Sequence, residues 1–148
     1  MLYGDQLCLK TLPPLPSAVA MTSIFLFGRW TVVDRRLRHP LSGSHDWYSF
    51  KSTTSETPVL GGLGNLSQYD SPDATKPIHA VALRLYNEKT DEWSIYWSVA
   101  GSGAFSIPSS GRFENGVGLF YDQEDLNGRP IVVRFRWTHE RAQQCRWE

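Results

Sequence analysis

The segment Asp91–Ser98, "DEWSIYWS", decides the fold class that this sequence predicts. Trp93, Ile95 and Trp97 occupy alternate positions, and serine or tyrosine occupies each position between or after them. Strict alternation over this length is typical of a β-strand with one apolar and one polar face. Two tryptophans on a single face predict that this face is turned toward a core or toward a ligand pocket.

Short alternating or β-branched runs continue along the chain from Phe25 onward, and no stretch has a helical periodicity. Turn chemistry separates them; the clearest example is Asn115-Gly116, which favours a tight type I′ hairpin. The pattern predicts nine strands, at about residues 29–38, 45–54, 58–70, 78–87, 92–99, 110–114, 117–122, 130–138 and 143–148. Many short sequential strands indicate an all-β fold, either an antiparallel meander closed into a barrel or a sandwich.

Length and charge limit the classes of function. The 148 residues are enough for one domain with a core, and the 15 basic and 15 acidic side chains cancel. No net charge is available to attract nucleic acid or an anionic membrane, so neither is an expected partner. Residues 1–22 hold three prolines and no long apolar run, which predicts an irregular or disordered leader rather than a signal peptide or membrane span. We expect residues 23–148 to form the domain, in the cytoplasm.

The stretch "FLFGRW" places a Gly-x-Trp motif at the start of the first predicted strand. It resembles the N-terminal motif of lipocalins and their calycin relatives. From Phe25 to Glu148 the chain resembles a group of uncharacterised bacterial lipocalin-like proteins, through "LGGLGN", "ALRLYN", "EWSIYW", "GRFENGVGLFY", "GRPIVVRFRW" and "RWE". This resemblance implies an antiparallel up-and-down lipocalin-like (calycin) barrel, and it brings no established activity.

The resemblance also implies structural roles at the base of the barrel. Gly28 would let the backbone turn, and the indole of Trp30 would cover the base. Members of the group continue past "RWE" to one more strand, whereas this sequence stops at Glu148. If that end is native, the barrel lacks its last strand, and the open edge could pair with a second copy of the chain to form a homodimer.

The inward faces of the strands have two alternative assignments. In the first, an aromatic set faces inward and the arginines are solvated, because a buried arginine needs a partner. In the second, arginines and tyrosines line the interior and an acidic ligand supplies that partner. The first set is Trp93, Trp97, Phe135, Trp137 and Leu83; the second is Arg84, Tyr86, Tyr96, Arg134 and Arg136. The candidate ligand contacts are Trp47 together with members of both sets, namely Arg84, Tyr86, Trp93, Tyr96, Trp97, Arg134, Phe135 and Trp137.

Histidines and cysteines give no dedicated metal site or cofactor site. The four histidines, at positions 39, 45, 79 and 139, have no ligand spacing, and the two cysteines lie near opposite ends. The run Ser44-His45-Asp46 is not a catalytic triad, because consecutive residues of an extended segment point in opposite directions. We therefore expect no metal and no cofactor.

The function that the sequence favours is binding of a small apolar or aromatic molecule inside the barrel. An anionic ligand would place its carboxylate against Arg84 or Arg134. Binding is favoured over catalysis, because no pair of carboxylates stands out as an acid/base couple. Two alternatives stay open: a small barrel enzyme of the isomerase, cyclase or hydrolase type, and an interaction module that uses its open edge strand.

Overall fold

The computed structural model describes residues 4–10, 26–72, 76–141 and 143–148. Within these ranges the chain forms ten strands and one short 3₁₀ turn at Leu60–Gly62. The strands are β1 (Gly4–Lys10), β2 (Gly28–Leu37), β3 (Trp47–Val59), β4 (Gly64–Ser71), β5 (Ile78–Asn87), β6 (Glu92–Val99), β7 (Ser109–Glu114), β8 (Val117–Leu126), β9 (Arg129–Arg141) and β10 (Gln144–Trp147).

The strands form a closed antiparallel barrel. From β2 to β10 each strand pairs with the next one in sequence, and β1 pairs with β2 on one side and with β10 on the other. Closure gives every described strand a partner on both edges, so no row of backbone N–H and C=O groups is left unpaired at a sheet edge. The predicted all-β, up-and-down antiparallel barrel is confirmed.

The predicted irregular leader is wrong over Gly4–Lys10, which is strand β1; residues 11–22 lie outside the described residues. The missing closing strand was expected to leave β10 with an open edge. In the structure β1 occupies that edge, in a register that runs from Gln6 opposite Trp147 to Leu9 opposite Gln144. An edge strand pairs readily with an extended segment of any sequence, because the ladder is made by the backbone. A dimer through β10 would first require β1 to leave.

Apart from β1 and from later ends of some strands, the observed strands follow the predicted ones, except in the stretch "VLGGLGN". The sequence predicted a single bent strand over residues 58–70. Instead β3 ends at Val59, the 3₁₀ turn follows, and β4 begins at Gly64. Leu60, Gly61 and Gly62 all have positive φ angles, of 53°, 64° and 99°, and three such residues in succession interrupt an extended strand. The glycines therefore make the turn between two strands rather than a bulge within one.

Buried apolar side chains form one cluster inside the barrel. Trp30 is only 1% exposed, and its Nε1 donates a hydrogen bond of 2.6 Å to the carbonyl of Leu26. Gly28, two residues before it, has a φ of 116°, a region that suits glycine. Both residues are placed as a structural role requires. The members of the cluster are Leu26, Trp30, Val32, Trp93, Ile95, Phe120, Phe135, Trp137 and Cys145.

Candidate functional site: a cavity inside the barrel

A cavity of about 90 Å³ lies inside the barrel beside the apolar cluster, with which it shares four residues. At roughly 10–15 Å³ for each water-sized group, the cavity has room for about six to nine such groups. This is about the size of one substituted aromatic ring. Its apolar and aromatic lining consists of Val32, Tyr69, Ala82, Ile95, Trp97, Phe135, Trp137 and Trp147, and its polar lining of Gln6, Thr54, Glu56, Ser67, Arg84, Ser106 and Ser109.

Aromatic rings form one wall of the cavity. The ring of Trp147 lies 4.3 Å from that of Trp137 at 88° and 4.9 Å from that of Phe135 at 39°, measured between centroids. Tyr69 and Trp97 make a further edge-on pair at 5.7 Å. Such pairs are mutually stabilising and present flat apolar surfaces. The wall is therefore suited to contact a planar or aliphatic ligand over much of its surface.

The polar wall is centred on the guanidinium of Arg84, a residue that is only 8% exposed. Its Nη1 donates hydrogen bonds to Oε2 of Glu56 at 2.8 Å, Oδ1 of Asn65 at 2.9 Å and Oγ of Ser67 at 3.1 Å. The guanidinium carbon also lies 5.4 Å from the ring centroid of Trp137, in a cation–π contact. Arg84 is thus held by one charge, two neutral acceptors and one aromatic face.

The strand register brings these polar groups together. Glu56 on β3 stands opposite Ser67 on β4, and Asn65 on β4 stands opposite Arg84 on β5. Residues two apart on a strand point to the same face, so the inward face of three neighbouring strands carries all four side chains. The alternation of burial along β5 agrees, because Ala80, Ala82 and Arg84 are buried while the residues between them are not.

One edge of the Arg84 guanidinium has no protein partner. All three of its hydrogen bonds leave from Nη1, and within the described residues Nε and Nη2 donate none. Nε is buried, as is the indole Nε1 of Trp137, which also has no acceptor among the described groups. A buried donor without an acceptor is unfavourable by about 1–3 kcal/mol. The wall of this cavity therefore contains donors that a ligand acceptor would stabilise.

Two carboxyl groups with shifted acidity belong to the interior. Burial raises the pKa of Glu56, and the charge of Arg84 opposes this rise. Burial also raises the pKa of Asp34, which is fully buried on β2. Asp34 accepts hydrogen bonds from Ser52 at 2.6 Å, from the Tyr69 hydroxyl at 3.1 Å and from the amide of Gln6. These three donors satisfy the carboxyl group of Asp34, and the Gln6 amide links it to strand β1.

The structure places four of the nine predicted ligand contacts in the wall of the cavity. Arg84, Trp97, Phe135 and Trp137 line the cavity. Trp93 belongs to the apolar cluster and lines a neighbouring cavity of about 10 Å³ together with Arg84 and Trp137.

Tyr86 shares the inward parity of Arg84 on β5, but it lies beyond the cavity. Its ring packs on that of Trp93 at 5.1 Å, and its hydroxyl donates to Asp91 at 2.7 Å. We conclude that Tyr86 closes the apolar cluster rather than contacting the cavity.

Three predicted ligand contacts are on the outer face, and their assignment to the interior is wrong. Arg134 is exposed because Phe135 and Trp137 take the inward parity of β9. Tyr96 has the outward parity of β6 and packs on Phe105 at 6.2 Å. Trp47 is 42% exposed and carries the guanidinium of Arg35 at 5.2 Å from its ring.

Neither of the two alternative interiors is correct as a whole. The aromatic set faces inward, yet Leu83 does not, since it alternates with buried Ala82 and Arg84 on β5. Of the arginine set, Arg84 is inside, whereas Arg136 is exposed and pairs with Glu148 at 2.9 Å. The interior therefore combines the aromatic wall of the first alternative with the single buried arginine of the second.

Several cavity or interior residues were not among the predicted contacts, and four of them are instructive. Glu56 fell just beyond the end of the strand predicted at 45–54, which corresponds to β3, although "TTSET" continues the alternation to it. Asn65 stood in the glycine-rich stretch "VLGGLGN" within the strand predicted at 58–70, and Asp34 directly precedes the basic residues Arg35 and Arg36. Trp147 could have been found, because "CRW" extends the last strand with an aromatic residue.

The histidines and the Ser44–Asp46 segment are remote from the cavity. His79 is exposed and bonds Asp70 at 2.7 Å. Ser44, His45 and Asp46 lie in the loop after β2, where the Ser44 hydroxyl accepts from the Asp46 backbone N–H at 3.1 Å. Over the described part of the chain, no three His, Cys, Asp or Glu side chains are grouped to hold a metal ion. The same part contains no helix with the length and hydropathy needed to cross a membrane.

Comparison of the sequence with models of known protein families and with curated proteins finds no match to either.

Proposed function

We propose that this protein binds a small, largely apolar molecule, about one aromatic ring in size, inside the barrel. The ligand places a hydrogen-bond acceptor against the Nε–Nη2 edge of Arg84 and packs its apolar part on the aromatic wall. One observation carries the proposal: Arg84, whose Nε and Nη2 have no acceptor among the described residues, lines an otherwise mostly apolar cavity. An apolar pocket with a few placed polar groups is the usual form of a small-molecule site.

The energetics support binding at this position. An acceptor at Arg84 removes the penalty of an unpaired buried donor, and a hydrogen bond to a charged donor contributes about 1.5–3 kcal/mol. Burial of a single ring against Trp137 and Phe135 adds to this at about 25 cal/mol per Å² of apolar surface. An antiparallel barrel is compatible with a lipocalin-like ligand-binding domain, and membership of that group stays a prediction.

A small barrel enzyme is the second candidate, and a specific observation favours it. Glu56 and Tyr69 both line the cavity, and burial raises the pKa of each. A titratable group with shifted acidity in a cavity is a candidate acid or base. However, Glu56 is occupied by Arg84 and Tyr69 by Asp34, so both serve first as members of internal networks. Slow conversion of a bound probe, followed by NMR, would favour the enzyme.

Thermal unfolding tests the proposal with benzamide, which has an acceptor, and toluene, which has none. At 100 times its Kd a ligand stabilises the native state by about 2.7 kcal/mol, or roughly 5–10 °C for a domain of this size. We expect benzamide to raise the Tm and to change tryptophan fluorescence, with toluene weaker. If neither compound alters unfolding or fluorescence, the proposal is wrong.

Two variants localise the effect. Glu56→Gln/Arg84→Met removes the donor edge without leaving an unpaired charge, so benzamide should lose its advantage over toluene. Arg134→Met is the matched control, because it removes an arginine of the outer face of β9. Equal loss in both variants would contradict the assigned site.

A further inference from the structure

We infer that the acceptor is a carboxylate, held by the Nε–Nη2 edge of Arg84, and that the complex takes up one proton at Glu56. The ligand class is thus a small aromatic or aliphatic monocarboxylic acid. This inference rests on the proposed function, because it concerns the same cavity.

The shape of the free edge selects a carboxylate. Nε and Nη2 of a guanidinium present two parallel N–H groups, which match the two oxygens of a carboxylate in a bidentate pair. A single carbonyl oxygen would satisfy only part of this edge. Arg84 is also fixed in advance, because Nη1 is bonded to three acceptors and the guanidinium lies over Trp137. Prior fixing lowers the entropy lost on binding.

The charges around Arg84 then require a proton. In the free protein Glu56 and Arg84 form a buried pair with N···O of 2.8 Å, whose side chains are 3% and 10% exposed. A bound carboxylate would put a second anion on the same cation. Two carboxylates that share one site in a medium of low polarity cannot both stay ionised at neutral pH.

No other described cation of the interior is placed to balance the added charge. On β2, Arg36 lies over the ring of Phe50 at 4.9 Å and faces the carboxylate of Asp34. On β4 the only titratable lining group is Tyr69, which bonds Asp34, and β5 contributes Arg84 itself. The lining residues of β6, β7, β9 and β10 are neutral.

Glu56 is the group that accepts the proton. Burial already disfavours its charged form, and the Arg84 charge that stabilised it is now shared with the ligand. The ligand remains ionised, because it faces both free N–H groups of Arg84. The proton comes from the solvent, so affinity for a carboxylate falls about tenfold for each pH unit above the pKa of Glu56.

Calorimetric titration of the full chain with benzoate tests the inference. The binding enthalpy is measured in two buffers of different ionisation enthalpy, and the difference gives the number of protons taken up. We expect about one proton for the unaltered protein. Glu56→Gln should take up none, and its affinity for benzoate should not change with pH. Benzamide should bind without proton uptake to both proteins.

Glu124→Gln is the matched control. Glu124 on β8 is also a carboxyl whose pKa burial raises, yet it does not line the cavity, so this variant should keep the proton uptake. Benzoate binding without a proton, or uptake that persists in Glu56→Gln, overturns the inference. Binding of benzamide but not benzoate overturns it while leaving the proposed function in place. If neither compound binds, the proposed function fails as well.

Discussion

Replacing Arg84 by methionine should be far more harmful than replacing both members of the buried ion pair. In Arg84→Met the carboxylate of Glu56, whose side chain is 3% exposed, loses the one cation that pairs with it among the described residues. Breaking a buried pair by removing one partner destabilises a protein by about 3–5 kcal/mol. Asn65 and Ser67 also lose the guanidinium that they contact. We therefore expect Arg84→Met to lower the free energy of unfolding by about 3–5 kcal/mol at neutral pH.

The double variant Glu56→Gln/Arg84→Met removes both charges, so no uncompensated ion is left in the interior. Replacing a buried pair by groups of similar volume is often neutral or stabilising, and we expect unfolding free energy within about 1 kcal/mol of the unaltered protein. Lower pH should also reduce the effect of Arg84→Met, because the isolated Glu56 then takes a proton and becomes neutral.

Urea unfolding at several pH values measures these differences. With an m value of about 2 kcal/mol/M, a loss of 3–5 kcal/mol lowers the midpoint by about 1.5–2.5 M. Arg136→Met is the exposed control, because its partner Glu148 lies at the surface, and it should change stability by less than about 1 kcal/mol. If Arg84→Met is no worse than the double variant at neutral pH, the pair is not buried and the reasoning is refuted.

Three further predictions concern the barrel itself. Burial raises the pKa of Asp34 above its ordinary 3.8, so stability should fall as pH rises from about 4 through that raised value; Asp34→Asn should make this slope shallower, and an unchanged slope would contradict the prediction. A Cβ at Gly111 would lie 1.8 Å from the carbonyl oxygen of Leu119, so Gly111→Ala should lose at least about 2 kcal/mol in urea unfolding, and unchanged stability would rule out this close approach. The register sets Cys8 opposite Cys145, so a mild thiol oxidant should form an intramolecular disulfide, which mass spectrometry would detect. If only intermolecular products formed, the position of β1 beside β10 would be contradicted.

Local pattern was sufficient to predict most of the barrel wall. The predicted strands at 78–87 and 92–99 match β5 and β6, because side-chain alternation and strand ends are both determined by neighbouring residues. Asn115 and Gly116 adopt positive φ angles of 51° and 79°, as a type I′ turn requires. Features that depend on adjacent residues are thus visible in a single sequence.

Features that depend on distant residues were not visible. In "AVALRLY" both parities of β5 are largely apolar, so the alternation does not say which face is inside. The inward face of β5 is determined by Glu56 on β3 and Asn65 on β4, because they supply the partners that a buried Arg84 needs. Strand β1 was missed for a related reason: its only requirement is an extended backbone beside β10.

The placement of the ion pair is itself an argument for binding. A buried pair contributes little net stability compared with apolar side chains of the same volume, so the fold alone does not explain Arg84 and Glu56 inside this barrel. Moreover, Arg84 directs its protein contacts through Nη1 alone, although a guanidinium offers five N–H groups. Because Arg84 lines a cavity that Trp137 and Phe135 also line, we infer that the interior was shaped around a molecule with an acidic end and an apolar body.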